Sequence, residues 1–520
     1  MVWPYIAKNL VKITLLGLLC AVAVYVFVFL GSRGMWIPGA MAPIGAALIS
    51  YIFLSQRRYP IRWLVPGLLF LAVMVVYPIG YTFVSSFTNV GTGHMLSKDQ
   101  AIAQLLDRTY TPPNAISYSY VAFADSAGHL ALLLEGGGQS FVYLDTDGSA
   151  SPIEPTDPRL VDENGDGTPD RFDSYVRLTT PQVIQRLSYL ETLQIEYEGT
   201  SIALQSLTEF RTQTPQYAYD SKAVTMTDLQ TGIVYTAKDG VFTAANGTEI
   251  YPGYRVAVGW RNYVNLITNP QIAGPFAGVF LWTFVFATLT VLLNFGLGLL
   301  SAILLNDPFL RFRTVYRVLT VVPYALPAFV TILVWRGMLN QNFGVINQML
   351  VSLFGSGARV AWLNNGMIAK ASVLLVNLWL GYPYMMLIAL GALQSIPSEL
   401  YEAARVDGAG WWARFRKITL PLLLMPLAPL LIGSFAFNFN NFTLIWLLTE
   451  GRPAIAGAQT PAGATDILIS YTYRLAFEGG RGNQFGLAAA VSVMIFVIIA
   501  TISAINFRMT GTLEELSKNV

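Results

Sequence analysis

The chain has 520 residues, 54% of them hydrophobic and only 12% charged, and its formal net charge is +2. Soluble proteins carry charge on about a quarter of their residues, so a soluble globular protein is excluded and an integral membrane protein is implied. No nucleic-acid partner is expected.

In chain order, the first apolar runs long enough to cross a bilayer lie at about 11–31, 35–55 and 63–87. Residues 1–62 read as a two-helix membrane anchor and 63–90 as a third transmembrane helix. The first run exceeds the apolar core of a cleaved signal. Leu18 and Leu19, ahead of Cys20, lack the small residue that lipoprotein processing needs, so an uncleaved anchor is expected.

From 91 to 272 the chain turns polar, with 11 Lys and Arg against 21 Asp and Glu, so the remainder carries the positive excess. Segments such as "SYSYVAF", "HLALLLEGGGQSFVYLDTDG" and "TGIVYTAKDGVFTA" read as strands broken by Gly-rich or Asp-Gly turns, with "AKDG" as a hairpin tip. A β-rich external domain is expected, large enough to bury its own core. The sole cysteine, Cys20, lies in an apolar run, so no disulfide helps it. His94 and His129 have no companions at zinc-ligand spacing.

Within this domain "DENGDGTPDRFD" places Asp162, Asn164, Asp166, Gly167, Asp170 and Asp173 at positions 1, 3, 5, 6, 9 and 12 of a calcium loop. Position 12 is the short Asp173 and position 8 is Pro169, both departures from the pattern. A structural Ca²⁺ held by Asp162, Asn164, Asp166, Asp170 and Asp173 and a plain acidic surface turn are the two readings.

Five further apolar runs follow at about 275–305, 318–337, 368–392, 422–448 and 485–507, making eight in all. They form a core at 273–510, with a tail at 511–520. Cations cluster at Lys8 and Lys12; Arg57, Arg58 and Arg62; Arg311, Arg313 and Arg317; Arg405, Arg414, Arg416 and Lys417; and Arg508 and Lys518. All fall on one side of an eight-span arrangement, which makes both termini cytoplasmic and the 91–272 domain external. No Asp or Glu lies in the middle of a span, so a cation-coupled carrier has no obvious carboxylate.

Two stretches inside the spans carry polar groups. In "SFAFNFNNF", Ser434, Phe437, Asn438 and Asn441 are spaced 0, +3, +4 and +7, one stripe of a helix. Amides that donate and accept, beside an aromatic face, suit a sugar. The other reading is that the amides bond neighbouring helices, which is the expectation for Asn440. In "LWLGYPYMM", Gly381 and Pro383 weaken a helix near mid-span, which transporters tolerate where backbone lines a polar cavity.

Between the sixth and seventh runs the chain reads "YEAARVDGAGWWARFRKITLPLL". Small residues and a glycine turn lead into a basic amphipathic piece; a surface that another helix or a protein cleft can approach closely and an ordinary basic cytoplasmic loop are the two readings of the residues alone. The spacing Glu402-Ala403-Ala404, three residues, Gly408, nine residues, Ile418-x-Leu420-Pro421 resembles the coupling loop of membrane subunits of binding-protein-dependent ATP-binding-cassette importers. In that family the loop docks in a groove of the ATPase subunit.

"YRVLTVVPYALPAF", "LWLGYPYMM", "SFAFNFNNF" and "TPAGATDILISYTYRLAFEGG", with the large insertion after the third run, look like the larger permease subunit of maltose/maltodextrin importers. The resemblance covers most of the chain from about residue 63. It implies sugar contacts at Leu380, Gly381, Tyr384, Ser434, Phe437, Asn438 and Asn441, and coupling at Glu402, Ala403, Ala404, Gly408, Ile418, Leu420 and Pro421. It further implies a smaller second permease, an ATPase dimer holding ATP and Mg²⁺, and a periplasmic maltose/maltodextrin-binding protein, all at a bacterial inner membrane.

No Gly-x4-Gly-Lys-Ser/Thr occurs, so this chain is expected to hold no cofactor of its own and to hydrolyse no ATP. A same-class permease for another oligosaccharide or a glycerol derivative is the near alternative. An ion-coupled carrier or a membrane sensor is the distant one.

Overall fold

The computed structural model describes residues 3–32, 36–55, 59–307, 309–458, 460–478 and 482–518. Arg57 and Arg58, two of the orienting cations, lie outside the described residues, as do the side chains of Lys8 and Lys518. The chain divides into two compact units, Met1–Ser86 and Phe87–Val520.

In the first unit α1 (Trp3–Ser32) and α2 (Trp36–Leu54) form a hairpin. Trp36 sets its ring edge against Phe27 at 5.8 Å. α3 (Tyr59–Leu71) passes through a π-helical turn, Ala72–Val76, into α4 (Tyr77–Ser85). The Arg62 guanidinium donates to the Ile52 and Ser55 carbonyls and so caps the end of α2.

The second unit opens with the β-rich segment. One sheet orders its main path as Ser149–Pro152, Gln139–Leu144, Leu130–Gly136, Ser117–Ala124, Glu209–Pro215, Thr200–Ser206 and Gln194–Tyr197. Its central strand Leu130–Leu134 is buried on both faces: Leu130, Leu132 and Leu134 enter one core with Phe141 and Phe210, while Ala131 and Leu133 enter another with Phe123 and Phe172. Period-two alternation here therefore sorts side chains between two cores rather than between core and water.

A second sheet, Tyr217–Asp220 through Glu249–Ile250, is covered by the helix Lys98–Leu106, whose Ala101, Ile102 and Leu105 pack on Met226 and Phe242. The expected "AKDG" tip is present, with Asp239 and Gly240 both at positive φ, 53° and 85°. Two residues at positive φ suit a two-residue hairpin turn.

Entry and exit of this segment are clasped together. Asn89 Oδ1 accepts from the Val256 N–H, its Nδ2 donates to the Tyr254 and Asp239 carbonyls, and the Val258 N–H bonds the Phe87 carbonyl. The clasp is stitched to the root of the last helix: the Asn483 N–H donates to Thr92 Oγ1, the Thr92 N–H to the Asn483 carbonyl, and the Gly486 N–H to the Val90 carbonyl.

The helical core follows with α5 (Pro270–Asn306), α6 (Arg313–Ala325), α7 (Ala328–Met338), α8 (Gly366–Gln394), α9 (Ser398–Val406), α10 (Leu420–Phe439), α11 (Phe442–Thr449), α12 (Leu468–Phe477) and α13 (Phe485–Lys518). α5 and α8 approach closely where Gly298 meets Met385, a Cβ built on the glycine lying 2.7 Å from that of Met385. Small residues at such crossings are how apolar helices gain contact in lipid.

Among the described residues six helices are long and apolar enough to cross a membrane, or up to seven if the bent pair α6 and α7 counts as one span; Gly39–Leu54 is shorter. Two of the expected runs are not straight helices. The run 318–337 bends by 90° between α6 and α7, because Pro327 forces Leu326 into extended backbone (ψ 145°). The run 422–448 breaks at Asn440, where φ is −111°. Hydropathy reports apolar length and is blind to both breaks.

Candidate functional site

Asn438 lies in the last turn of α10, inside the core, and is 4% exposed. Its Nδ2 donates to the Ser434 carbonyl at 2.8 Å and lies 3.5 Å from Ser434 Oγ. Its Oδ1 accepts from Asn377 Nδ2 at 2.8 Å, and the same Nδ2 donates to Thr290 Oγ1 at 3.1 Å. A chain of hydrogen bonds thus runs from α5 through α8 to α10 across otherwise apolar helices. Unpaired amides in such an interior would cost several kcal/mol each, so the chain fixes the register of three helices.

Asn377 and Thr290 were not singled out by the sequence reading. Asn377 stands one turn before Gly381 in "LLVNLWLG", a spacing that could have marked it.

The stripe expected along one helix holds for Ser434, Phe437 and Asn438 and ends there. Asn441 sits beyond the break and caps α11, its Oδ1 accepting from the Leu444 N–H at 3.2 Å. Asn440 is exposed rather than bonded to a neighbouring helix. Phe437 is 69% exposed at the surface of this chain. Phe439, by contrast, is fully buried, edge-on to Phe284 at 5.1 Å.

On α8, Leu380 packs against the cluster around Phe286 and Val376. Tyr384 is half-exposed and stacks on Tyr324 of α6, ring centres 6.0 Å apart. Pro383 leaves α8 continuous from Gly366 to Gln394. Gly381 makes room for a neighbour: a Cβ there would meet the Asn294 side-chain amide and force it to shift.

The loop between α8 and α10 forms a knuckle. Glu402, Ala403 and Ala404 lie on α9, which closes through the Gly408 N–H to the Arg405 carbonyl and the Ala409 N–H to the Ala404 carbonyl, with Gly408 at φ 77°. A left-handed residue at this position of a helix end is a glycine role. The returning arm is a short helix, Trp411–Arg414, and a π-helical turn, Phe415–Thr419, that contains Ile418 and leads into Leu420 and Pro421 of α10. Tyr401 Oη and Thr419 Oγ1, 3.0 Å apart, tie the two arms. Val406, Trp411 and Trp412 stand 88%, 61% and 60% exposed at the tip.

The acidic loop folds on itself. Asp162 accepts from the Gly165 and Gly167 N–H groups, Asn164 Oδ1 from the Asp166 N–H, Asp166 from Thr168, and Asp170 from the Glu163 N–H. Arg177 lies 3.7 Å from Asp166 and 3.9 Å from Asp170. Donation from Thr168 holds the Asp166 carboxyl below the usual range, with Arg177 adding to it. Among the described residues no group of three or more His, Cys, Asp or Glu is placed to hold a metal ion.

Residues 294–510 match the family of binding-protein-dependent transport system inner membrane components, and 69–144 the N-terminal part of membrane subunits in binding-protein-dependent ABC transporters. The maltose/maltodextrin transport system permease protein MalF of Klebsiella aerogenes is 37% identical, with 96% of each chain covered. That of Escherichia coli strain K12 is also 37% identical over 97% of each chain. That of Vibrio vulnificus strain YJ016 is 37% identical over 99% of this chain and 97% of its own. With 37% identity sustained over nearly the whole length of each chain, this chain belongs to the family of maltose/maltodextrin transport system permease proteins.

Proposed function

We propose that the chain lines the translocation pathway of a maltose/maltodextrin importer, receiving sugar from a periplasmic binding protein and working beside a smaller second permease and an ATPase dimer. The observation that carries this reading is the uncovered knuckle at 398–421. Two tryptophans and a valine held out to water beside Arg414, Arg416 and Lys417 form a surface built to be covered by another polypeptide. The identity to importer permeases supports an ATPase as that polypeptide.

In this reading α1, α2, α3 with α4, α5, the bent pair α6 and α7, α8, α10 with α11, and α13 make eight membrane elements. Both termini and the knuckle are cytoplasmic, and 91–272 is periplasmic. Ser434, Phe437, Asn438, Asn441, Leu380, Gly381 and Tyr384 belong to the sugar pathway. The hydrogen-bonded chain through Asn377 and Asn438 favours a structural share in the role of Asn438, so the exposed Phe437 and Tyr384 faces supply the contact area. ATP closes the partner dimer, the knuckle moves with it, and the pathway opens to the binding protein.

The test is ATP hydrolysis by the complex that co-purifies with this chain, reconstituted in bilayers with binding protein, with and without maltose. Stimulation by loaded binding protein is expected. Absence of any co-purifying ATPase sinks the importer reading in favour of an ion-coupled carrier or sensor.

For the acidic loop the proposal is a Ca²⁺ site for which Arg177 competes. Calorimetric titration of the purified chain checks it: Arg177→Ala is expected to bind Ca²⁺ more tightly than the parent, and no saturable heat in either protein rejects it.

A further inference from the structure

Six residues where α5, α8 and α10 meet stand in two layers. One turn apart lie Thr290 and Asn294 on α5, Asn377 and Gly381 on α8, and Ser434 and Asn438 on α10, whose order is reversed because it crosses in the opposite sense. The layer of Thr290, Asn377 and Asn438 is closed, since Asn377 Nδ2 gives one hydrogen to Thr290 and the other to Asn438 Oδ1.

The layer of Asn294, Gly381 and Ser434 is open. Asn294 is 4% exposed, yet its Oδ1 has no hydrogen-bond partner among the described residues. Beside this amide, whose Nδ2 lies nearer than its Oδ1, Gly381 offers no side chain. Among the described residues Ser434 Oγ has only the long 3.5 Å approach of Asn438 Nδ2.

The deficit is specifically that of an acceptor. Asn377 has no hydrogen left to give, and the α8 N–H groups around Gly381 are committed to their own helix. A buried acceptor without a donor leaves its lost hydration uncompensated, and each such group in a native fold calls for a reason. A neutral hydroxyl would satisfy it without carrying charge into the membrane interior.

We propose that Asn294 is a further sugar-positioning residue, its Oδ1 accepting a hydrogen bond from one hydroxyl of the sugar as it passes Gly381. Gly381 is then small for two reasons: it admits the amide, and it leaves no side chain between that amide and the ligand. The inference rests on the pathway assignment made above. It adds a contact from α5, a helix that contributes none to that assignment.

The test is uptake by the reconstituted complex of maltose and of its monodeoxy derivatives, in the parent, Asn294→Leu, Asn294→Thr and Phe437→Ala, the last an exposed pathway residue. Because the same binding protein serves every variant, its own preferences cancel in the ratio of ratios. One monodeoxy sugar is expected to be taken up about 10-fold less well by the parent, a penalty that vanishes in Asn294→Leu and returns in part in Asn294→Thr. The thermal midpoint of Asn294→Leu should hold or rise, because an unpaired amide has been removed.

A loss in Asn294→Leu that is equal for all sugars, or a lowered midpoint with an unchanged deoxy profile, marks a packing residue and overturns the inference. No loss at all overturns it as well. In each of those cases, lost uptake in Phe437→Ala shows that the pathway assignment survives, whereas full uptake with the parent's profile in Phe437→Ala removes the assignment too.

Discussion

Asn377 shows how a single buried amide can organise three helices. Its Nδ2 serves Thr290 on one side and Asn438 on the other, so replacing it orphans two groups at once. Asn377→Leu is expected to destabilise the purified complex by about 1–2 kcal/mol, read as a lowered thermal midpoint in detergent, with Asn377→Gln losing less. An unchanged midpoint for Asn377→Leu would falsify the register role. At the outer surface, His129 Nδ1 bonds Asp125 Oδ2 at 2.9 Å. That hydrogen bond raises the His129 pKa and lowers that of Asp125.

The signs set a pH window. The histidine's contribution is complete below its unfolded value of about 6.5 and is lost as pH rises through the higher folded value. The aspartate's is present above about 3.9 and is lost as pH falls through the lower folded value. Unfolding of the β-rich segment should therefore show a stability increment between about pH 4 and 6.5 that His129→Gln flattens. A superimposable pH profile for that variant counts against the pair.

Elements were legible in the sequence where turn chemistry marks their ends. The Gly137-Gly138 and Asp239-Gly240 tips, both pairs at positive φ, delimit their hairpins as the residues themselves suggest. The breaks at Leu326–Pro327 and Asn440–Asn441 were not, because the apolar count runs through them unchanged. The second break matters for the site: Asn441 extends the stripe by spacing alone, whereas in the fold its side chain is engaged in capping α11. The partners of Asn438 were hidden for a different reason, since which amide meets which depends on helix crossings that no local pattern encodes.

The knuckle is the element whose conformation is most tightly prescribed. Gly408, at φ 77° with open space around its Cα, tolerates bulk sterically and resists it only through its backbone. Gly408→Pro removes the N–H that closes on Arg405 and forbids the left-handed turn. Membrane insertion should remain intact while sugar-stimulated ATP hydrolysis falls to the unstimulated rate. Normal stimulation in that variant would argue that the knuckle is not the coupling element.

On the scale of the whole second unit, the stitch between Thr92 and Asn483 joins positions 391 residues apart. With the Gly486–Val90 bond it seats the clasp of the β-rich segment on the start of α13. A chain made from its N-terminus has finished both sheets long before residue 483 exists. The root of the β-rich segment therefore stays unsealed through the synthesis of α5 to α12, and α13 is the helix that seals it.

That order makes the stitch a late checkpoint of biogenesis. Chains ending at residue 478 should display a folded β-rich segment whose flanks at 87–92 and 254–262 are cut readily by protease, and full-length chains should lose those cuts within the time needed to complete α13. Equal protection in the truncated chain would place the seal earlier, in the Asn89 clasp alone. A quality-control protease would thus read completion of α13 from the accessibility of a site near residue 90.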